Sequence, residues 1–138
     1  MTYATINPYT NELLKKYPDS TDAEVEEATA KADTAFRSWR NTSFAVRAAV
    51  MNKAAAILRR SKKDYAKLLT VEMGKITAEA EAEVELSAQI FEYYGTNAER
   101  LLRPEKLPVA DPSEGEVIVV HEPLGVLLAI EPWNFPYY

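Results

Sequence analysis

Five consecutive apolar residues, Val126-Leu127-Leu128-Ala129-Ile130, run directly into a proline-bracketed turn, Glu131-Pro132-Trp133-Asn134-Phe135-Pro136. A strand with one wet face alternates polar and apolar side chains. One without alternation reads as covered on both faces, the pattern of a central strand in a sheet flanked by helices. Such a strand pairs in parallel with its neighbours, and parallel neighbours are reached through crossover connections. Nothing in residues 1 to 138 supplies them, so the domain of this strand is expected to be incomplete in this chain. The expected class is therefore α/β, and the turn sits at the carboxyl edge of the strand, where ligands bind in open α/β sheets.

The residues upstream read mainly as helices. Asn7-Pro8-Tyr9-Thr10-Asn11-Glu12 is turn chemistry, and Leu13 to Tyr17 is a short extended stretch. Thr21-x-x-Glu24 has the form of a capping box, with Val25, Ala28, Ala32, Ala35 or Phe36, and Trp39 at helical spacing, which predicts a helix from about Thr21 to Arg40. Phe36 and Trp39 are expected in its core face. A second pattern starts near Ser43, breaks near Ser61 and stops at Gly74. A third runs from Thr77 to about Leu101 with Val84, Ala88, Phe91, Gly95 and Ala98 on one face. Its glutamates at 79, 81, 83 and 85 are expected to form a solvated face near the helix start, where they suit the dipole. Beyond Arg103, prolines 104, 108 and 112 exclude further helix, and the β-branched stretch from Glu116 to His121 reads as a strand.

Several function classes are set aside by composition. Sixteen basic against twenty-one acidic residues give a net charge of -5, with the basic ones interspersed along helices, so a nucleic-acid partner is not expected. The Arg59-Arg60-Ser61-Lys62-Lys63 cluster reads as a basic helix end answering the macrodipole. There is no cysteine and a single histidine, His121, so neither a disulfide framework nor a metal site is expected. The start, Met1 to Ile6, has no basic segment followed by a long apolar run, and the default expectation is a cytoplasmic protein with no membrane partner.

Asn134 is the residue in the turn with chemistry to offer. Its amide donates hydrogen bonds while staying neutral, and one such donor aimed at a developing oxyanion is typically worth about 3 to 4 kcal/mol. The alternative is that Asn134 only caps a following helix, since Asn is among the best N-caps. Pro132 and Pro136 fix two backbone angles, which would hold Trp133 and Asn134 with little entropy left to lose.

Taken together, Glu122-Pro123-Leu124-Gly125-Val126, Ile130 and Pro132-Trp133-Asn134-Phe135-Pro136 resemble the segment that opens the nucleotide-binding domain of aldehyde dehydrogenases. Asn7-Pro8-x-Thr10-x-Glu12, Glu72-Met73-Gly74-Lys75 and Tyr93-Tyr94 occur in matching order, so the resemblance covers essentially the whole chain. Asn-Pro-x-Thr is weak alone, Glu-x-Gly-Lys is modest, and Pro-Trp-Asn-Phe-Pro after an apolar strand is strong. Ile76 departs from the family, which usually has proline after Gly-Lys. Within the family, Ala129 to Tyr138 is most similar to bacterial succinate-semialdehyde dehydrogenases.

The resemblance implies a Rossmann-type architecture divided into residues 1–106, the N-terminal helical part of the nucleotide-binding domain; 107–122, β-structure through which subunits pair; and 123–138, the first strand and cofactor turn. It implies oxidation of an aldehyde to a carboxylic acid with NAD or NADP, through a thiohemiacetal, in a homodimer or homotetramer. Asn134 is implied to donate to the oxyanion. Ile130, Glu131, Pro132, Trp133 and Asn134 are implied to line the nicotinamide and ribose end of the dinucleotide. The family's nucleophilic cysteine, its glutamate, its ribose-binding lysine and its phosphate turn are expected beyond Tyr138, which makes this chain one part of an enzyme. A rival expectation, motivated by the missing cysteine, is a non-catalytic oligomerisation module.

Overall fold

The computed structural model describes residues 3–111, 113 and 115–138. Pro112, one of the prolines that interrupt the helical pattern, lies outside them, as do Met1, Thr2 and Glu114.

Strands β1 (Tyr3–Ile6) and β2 (Leu13–Tyr17) form an antiparallel hairpin with Tyr3 opposite Tyr17 and a bulge between Thr5 and Ile6. The connecting turn is built by its own polar side chains. Asn7 Oδ1 accepts from the Tyr9 and Thr10 N–H groups at 2.9 and 3.3 Å, and Thr10 Oγ1 accepts from Glu12 N–H at 3.3 Å. Asn11 takes up a φ of 59°, a conformation Asn tolerates better than most residues. The Asn-Pro-x-Thr-x-Glu pattern thus encodes the turn. β1 itself carries too little alternation to be read as a strand before its partner is known.

Helix α1 (Asp22–Trp39) opens with the expected capping box: Glu24 N–H donates to Thr21 Oγ1 at 3.3 Å, and Thr21 N–H donates to Glu24 Oε2 at 2.8 Å. No residue of α1 is buried, and Trp39 is 45% exposed while Phe36 is half-buried. This corrects the expectation that both aromatics lie in a core. Helical spacing identifies an apolar stripe, but a stripe becomes core only where another element covers it, and α1 packs extensively against none of the others among the described residues.

Helices α2 (Phe44–Arg60), α3 (Lys62–Met73) and α4 (Thr77–Leu101) form the packed body, with α2 and α3 laid against α4. The core is small-residue: Ala55, Ala66, Leu69, Ala80, Val84 and Ala88. Alanines bury little area each, but they let the helices approach closely enough for dense packing. Gly95 lies at a close approach of α2 and α4, since a Cβ there would lie 2.6 Å from Asn52 Oδ1 and 3.3 Å from Met51 Cβ. Arg59 also ties α2 to α4, with contacts of 3.0 Å to Glu85 and 2.9 Å to Glu92, so its charge serves tertiary pairing as well as a helix end.

After α4, β3 (Glu105–Leu107) pairs antiparallel with β4 (Val117–Val119), with Glu105 opposite Val119 and Leu107 opposite Val117. The expected strand at 116–121 is present but shorter, and its partner at 105–107 is too brief to show in the pattern. The run Val126 to Ile130 carries no strand pairing, and Leu128 is 91% exposed. A ladder needs a neighbour to exchange hydrogen bonds, and no described strand runs beside it. None of the described helices is long and apolar enough to cross a membrane.

Candidate functional site

The proline-bracketed turn is fastened to the helical body through its backbone. Gly74 ends α3 in the left-handed conformation, φ 77°, which turns the chain and places Lys75 between α3 and α4. Lys75 Nζ donates to the Asn134 carbonyl at 3.0 Å and forms an ion pair with Glu83. Its ammonium also lies 3.7 Å from the centroid of the Phe135 ring, a cation–π arrangement.

Glu83 completes the attachment from α4. Its Oε2 faces Lys75, and its Oε1 accepts from the Tyr137 N–H at 2.9 Å. The side chains of Lys75 and Glu83 are only 8% and 1% exposed, so both charges have left water. That loss is tolerable because each charge is paired and further hydrogen-bonded. Ser87 Oγ, one helical turn on, lies 2.9 Å from the Tyr137 carbonyl and 3.0 Å from the Glu83 carbonyl, and its single proton serves one of them at a time.

Tyr137 is the apolar part of the anchor. It packs on the Ala66, Leu69 and Ala80 cluster and meets Tyr65 edge-on, with ring centroids 5.7 Å apart. Burial, followed by the neighbouring Tyr65, Glu72 and Glu83 charges, raises its phenol above the ordinary value. The turn also closes on itself: Phe135 N–H donates to the Pro132 carbonyl and Tyr138 N–H to the Phe135 carbonyl, both at 3.2 Å.

With the backbone of this segment engaged, the side chain of Asn134 stays exposed. Trp133 is 77% exposed and Ile130 is 88% exposed; Pro132 and Glu131 are open as well. The structure therefore brings Pro132, Trp133 and Asn134 together in one turn, with Ile130 and Glu131 on the open approach to it. Trp133 also borders a cleft lined by Leu68, Leu69, Met73 and Pro136. His121 is exposed.

The expectation that the glutamates at 79 to 85 form a solvated face fails at Glu83. The signal was present in the spacing: Ala80, Glu83, Val84, Ser87 and Ala88 occupy one helical stripe, and all five are buried. A charged and a hydroxyl residue inside an apolar stripe imply partners from another element. Lys75, Glu83, Ser87 and Tyr137 are the residues that sequence reasoning did not place at the site.

The family model described as "Aldehyde dehydrogenase family" matches residues 1–138. The succinate-semialdehyde dehydrogenase [NADP(+)] of Deinococcus radiodurans is 44% identical over 136 residues, which span 99% of this chain and 28% of that protein. Succinate-semialdehyde dehydrogenase [NADP(+)] 1 of Mycobacterium tuberculosis H37Rv is 43% identical over 138 residues, covering 100% of this chain and 30% of that one. Among solved structures, succinic semialdehyde dehydrogenase from Streptococcus pyogenes in complex with NADP+ superposes with a TM-score of 0.92 at 38% identity, over 99% of this chain and 30% of that one. The chain thus spans less than a third of the length of these relatives. Matched by one family along its whole length, the chain belongs to the aldehyde dehydrogenase family.

Proposed function

We propose that the intact protein oxidises an aldehyde to its carboxylic acid, with succinate semialdehyde as substrate and NADP+, or NAD+, as hydride acceptor. The observation that carries this reading is the exposed Asn134 amide on a turn whose backbone is tied to buried groups. When a cysteine thiolate adds to an aldehyde carbon, a sulfur–carbon bond forms, the carbonyl π-bond opens and negative charge collects on oxygen. A neutral amide donor held in advance stabilises that charge without reorganising, and this is the role assigned to Asn134.

The residues of the turn suit a dinucleotide. Ile130 and Trp133 offer exposed apolar surface, Pro132 and Asn134 stiffen and hydrogen-bond the turn, and Glu131 carries an exposed carboxylate beside them. These five would hold the nicotinamide and ribose end; when bound, the dinucleotide supplies the hydride acceptor. The relatives are NADP(+) succinate-semialdehyde dehydrogenases by name, which favours NADP and succinate semialdehyde here. In the same reading, residues 1–106 and 123–138 belong to the nucleotide-binding domain, and 107–122 to a region through which subunits pair in a cytoplasmic homodimer or homotetramer.

The test is Asn134→Ala in the intact protein. Single-turnover hydride production is expected to fall by roughly a hundredfold to a thousandfold, with dinucleotide affinity changed far less. Near-normal turnover with a lowered melting temperature would make Asn134 structural. The substrate reading is tested separately, by comparing kcat/KM for succinate semialdehyde with that for butanal; equal values would remove it.

A further inference from the structure

We infer that the buried Lys75–Glu83 pair is a positioning clamp that sets the Asn134 turn in its working geometry, acting through main-chain atoms rather than by touching substrate. The inference rests on the oxyanion role proposed for Asn134. Three observations carry it. Lys75 bonds the carbonyl of Asn134 itself, Glu83 bonds the N–H of Tyr137, and each charge neutralises the other in a region almost closed to water. The two attachments bracket Asn134 to Tyr137, so they restrain position and tilt together. Ser87 Oγ at the Tyr137 carbonyl and the Lys75 ammonium against the Phe135 ring add two further contacts to the same segment.

A structural ion pair needs no such aim. With its side chain only 8% exposed, Lys75 has little access to solvent, and the acceptor it takes beside Glu83 is the carbonyl of Asn134 itself. A displacement of about 1 Å at a reacting group is enough to cost on the order of a hundredfold in rate, so a backbone clamp at this carbonyl acts directly on rate. Substrate and cofactor meet other atoms of the turn, and their binding depends on it less.

The experiment uses the intact protein and the variants Lys75→Met, Lys75→Arg, Glu83→Gln, Asn134→Ala and the Lys75→Met/Asn134→Ala double. Lys75→Met is expected to lower kcat by roughly tenfold to a hundredfold while KM for the aldehyde and Kd for the dinucleotide stay within a few-fold. Lys75→Arg, which keeps a cation able to reach both oxygens, recovers most of that loss. The double variant is no slower than Asn134→Ala alone. Hydrogen exchange at the Phe135, Tyr137 and Tyr138 amides is accelerated at least tenfold in Lys75→Met and Glu83→Gln, while exchange within Phe44–Arg60 is unchanged.

Unaltered exchange at those three amides in both variants overturns the clamp, as does a double variant slower than Asn134→Ala by the full Lys75→Met factor. If Lys75→Met does not fold, Glu83→Gln and Lys75→Arg are judged by the same exchange and kcat criteria. If Asn134→Ala keeps its rate, the oxyanion reading fails, and the exchange data still decide whether the clamp holds the turn.

Discussion

Gly74 lies directly against Pro8: a Cβ on Gly74 would come within 3.2 Å of the Pro8 Cγ. Two short patterns far apart in the chain, Asn-Pro-x-Thr and Glu-x-Gly-Lys, thereby meet at one point. The meeting lies at the left-handed cap that ends α3, one residue before Lys75 reaches toward Asn134. Its φ of 77° favours glycine there, and the proline contact adds a smaller crowding to any Cβ.

Gly74→Ala should therefore destabilise the protein by about 1 to 2 kcal/mol, the cost of a Cβ in the left-handed region. Pro8→Ala should recover little of it, because the backbone strain remains when the neighbour is trimmed. Denaturant midpoints of the single and double variants check both statements; full recovery in the double would mean that the proline contact, and not the backbone angle, sets the cost.

Gly95 presents a different balance, since it lies inside α4 with no unusual φ. Alanine there gains helix propensity of about 1 kcal/mol, but its Cβ meets Asn52 Oδ1 at 2.6 Å and Met51 Cβ at 3.3 Å. The Asn52 amide can rotate away, whereas Met51 Cβ is fixed to its helix. Gly95→Ala is expected to be close to neutral, and Gly95→Leu to lose about 1 to 3 kcal/mol by overpacking. Thermal melts of both distinguish a close helix crossing from an idle glycine.

Much of this was legible in the chain because it is encoded locally. The Thr21–Glu24 box, the Gly74 stop and the break at Ser61 are each set by residues a few positions apart. What was not legible depended on which element covers which. Trp39 sits on an apolar stripe that no described helix or strand packs against extensively, and Glu83 sits on one that Lys75 and Tyr137 do cover. Val126 to Ile130 is apolar throughout, yet pairing is a property of two segments, and periodicity within one cannot supply the other.

The Arg59 contacts give a pH dependence with a definite sign. Glu92 is held below its ordinary carboxylate value of 4.5 by the Arg59 hydrogen bond and then by its charge. Glu24 is lowered likewise by the Thr21 N–H and then the Thr21 hydroxyl. A carboxylate depressed in the folded state contributes stability above its unfolded value and loses it as pH falls through the folded one. The melting temperature should accordingly drop as pH falls below about 4.5, more shallowly in Glu92→Gln and Glu24→Gln. Salt at 1 M should flatten the Arg59 part, since these groups are solvent-accessible and screened. An unchanged slope in both variants would remove the assignment.

The β3–β4 hairpin supplies the test of assembly. One face of the ladder carries Glu105 and Leu107 opposite Val119 and Val117, and these valines are about half exposed within the chain. If this face meets a second subunit, a charge placed on it must be desolvated on association. Val119→Lys alone is a soft challenge, because Glu105 lies directly opposite on the neighbouring strand and can neutralise the new ammonium. Val119→Lys combined with Glu105→Gln removes that partner and leaves the lysine unpaired. The double variant should weaken association by roughly tenfold to a hundredfold in Kd, about 1.4 to 2.8 kcal/mol, with Val119→Lys weakened less and Glu105→Gln close to wild type. Size-exclusion chromatography with light scattering across a dilution series measures this directly. If the double variant keeps the wild-type oligomer down to the lowest concentration, this face of the hairpin meets solvent, and subunits pair elsewhere.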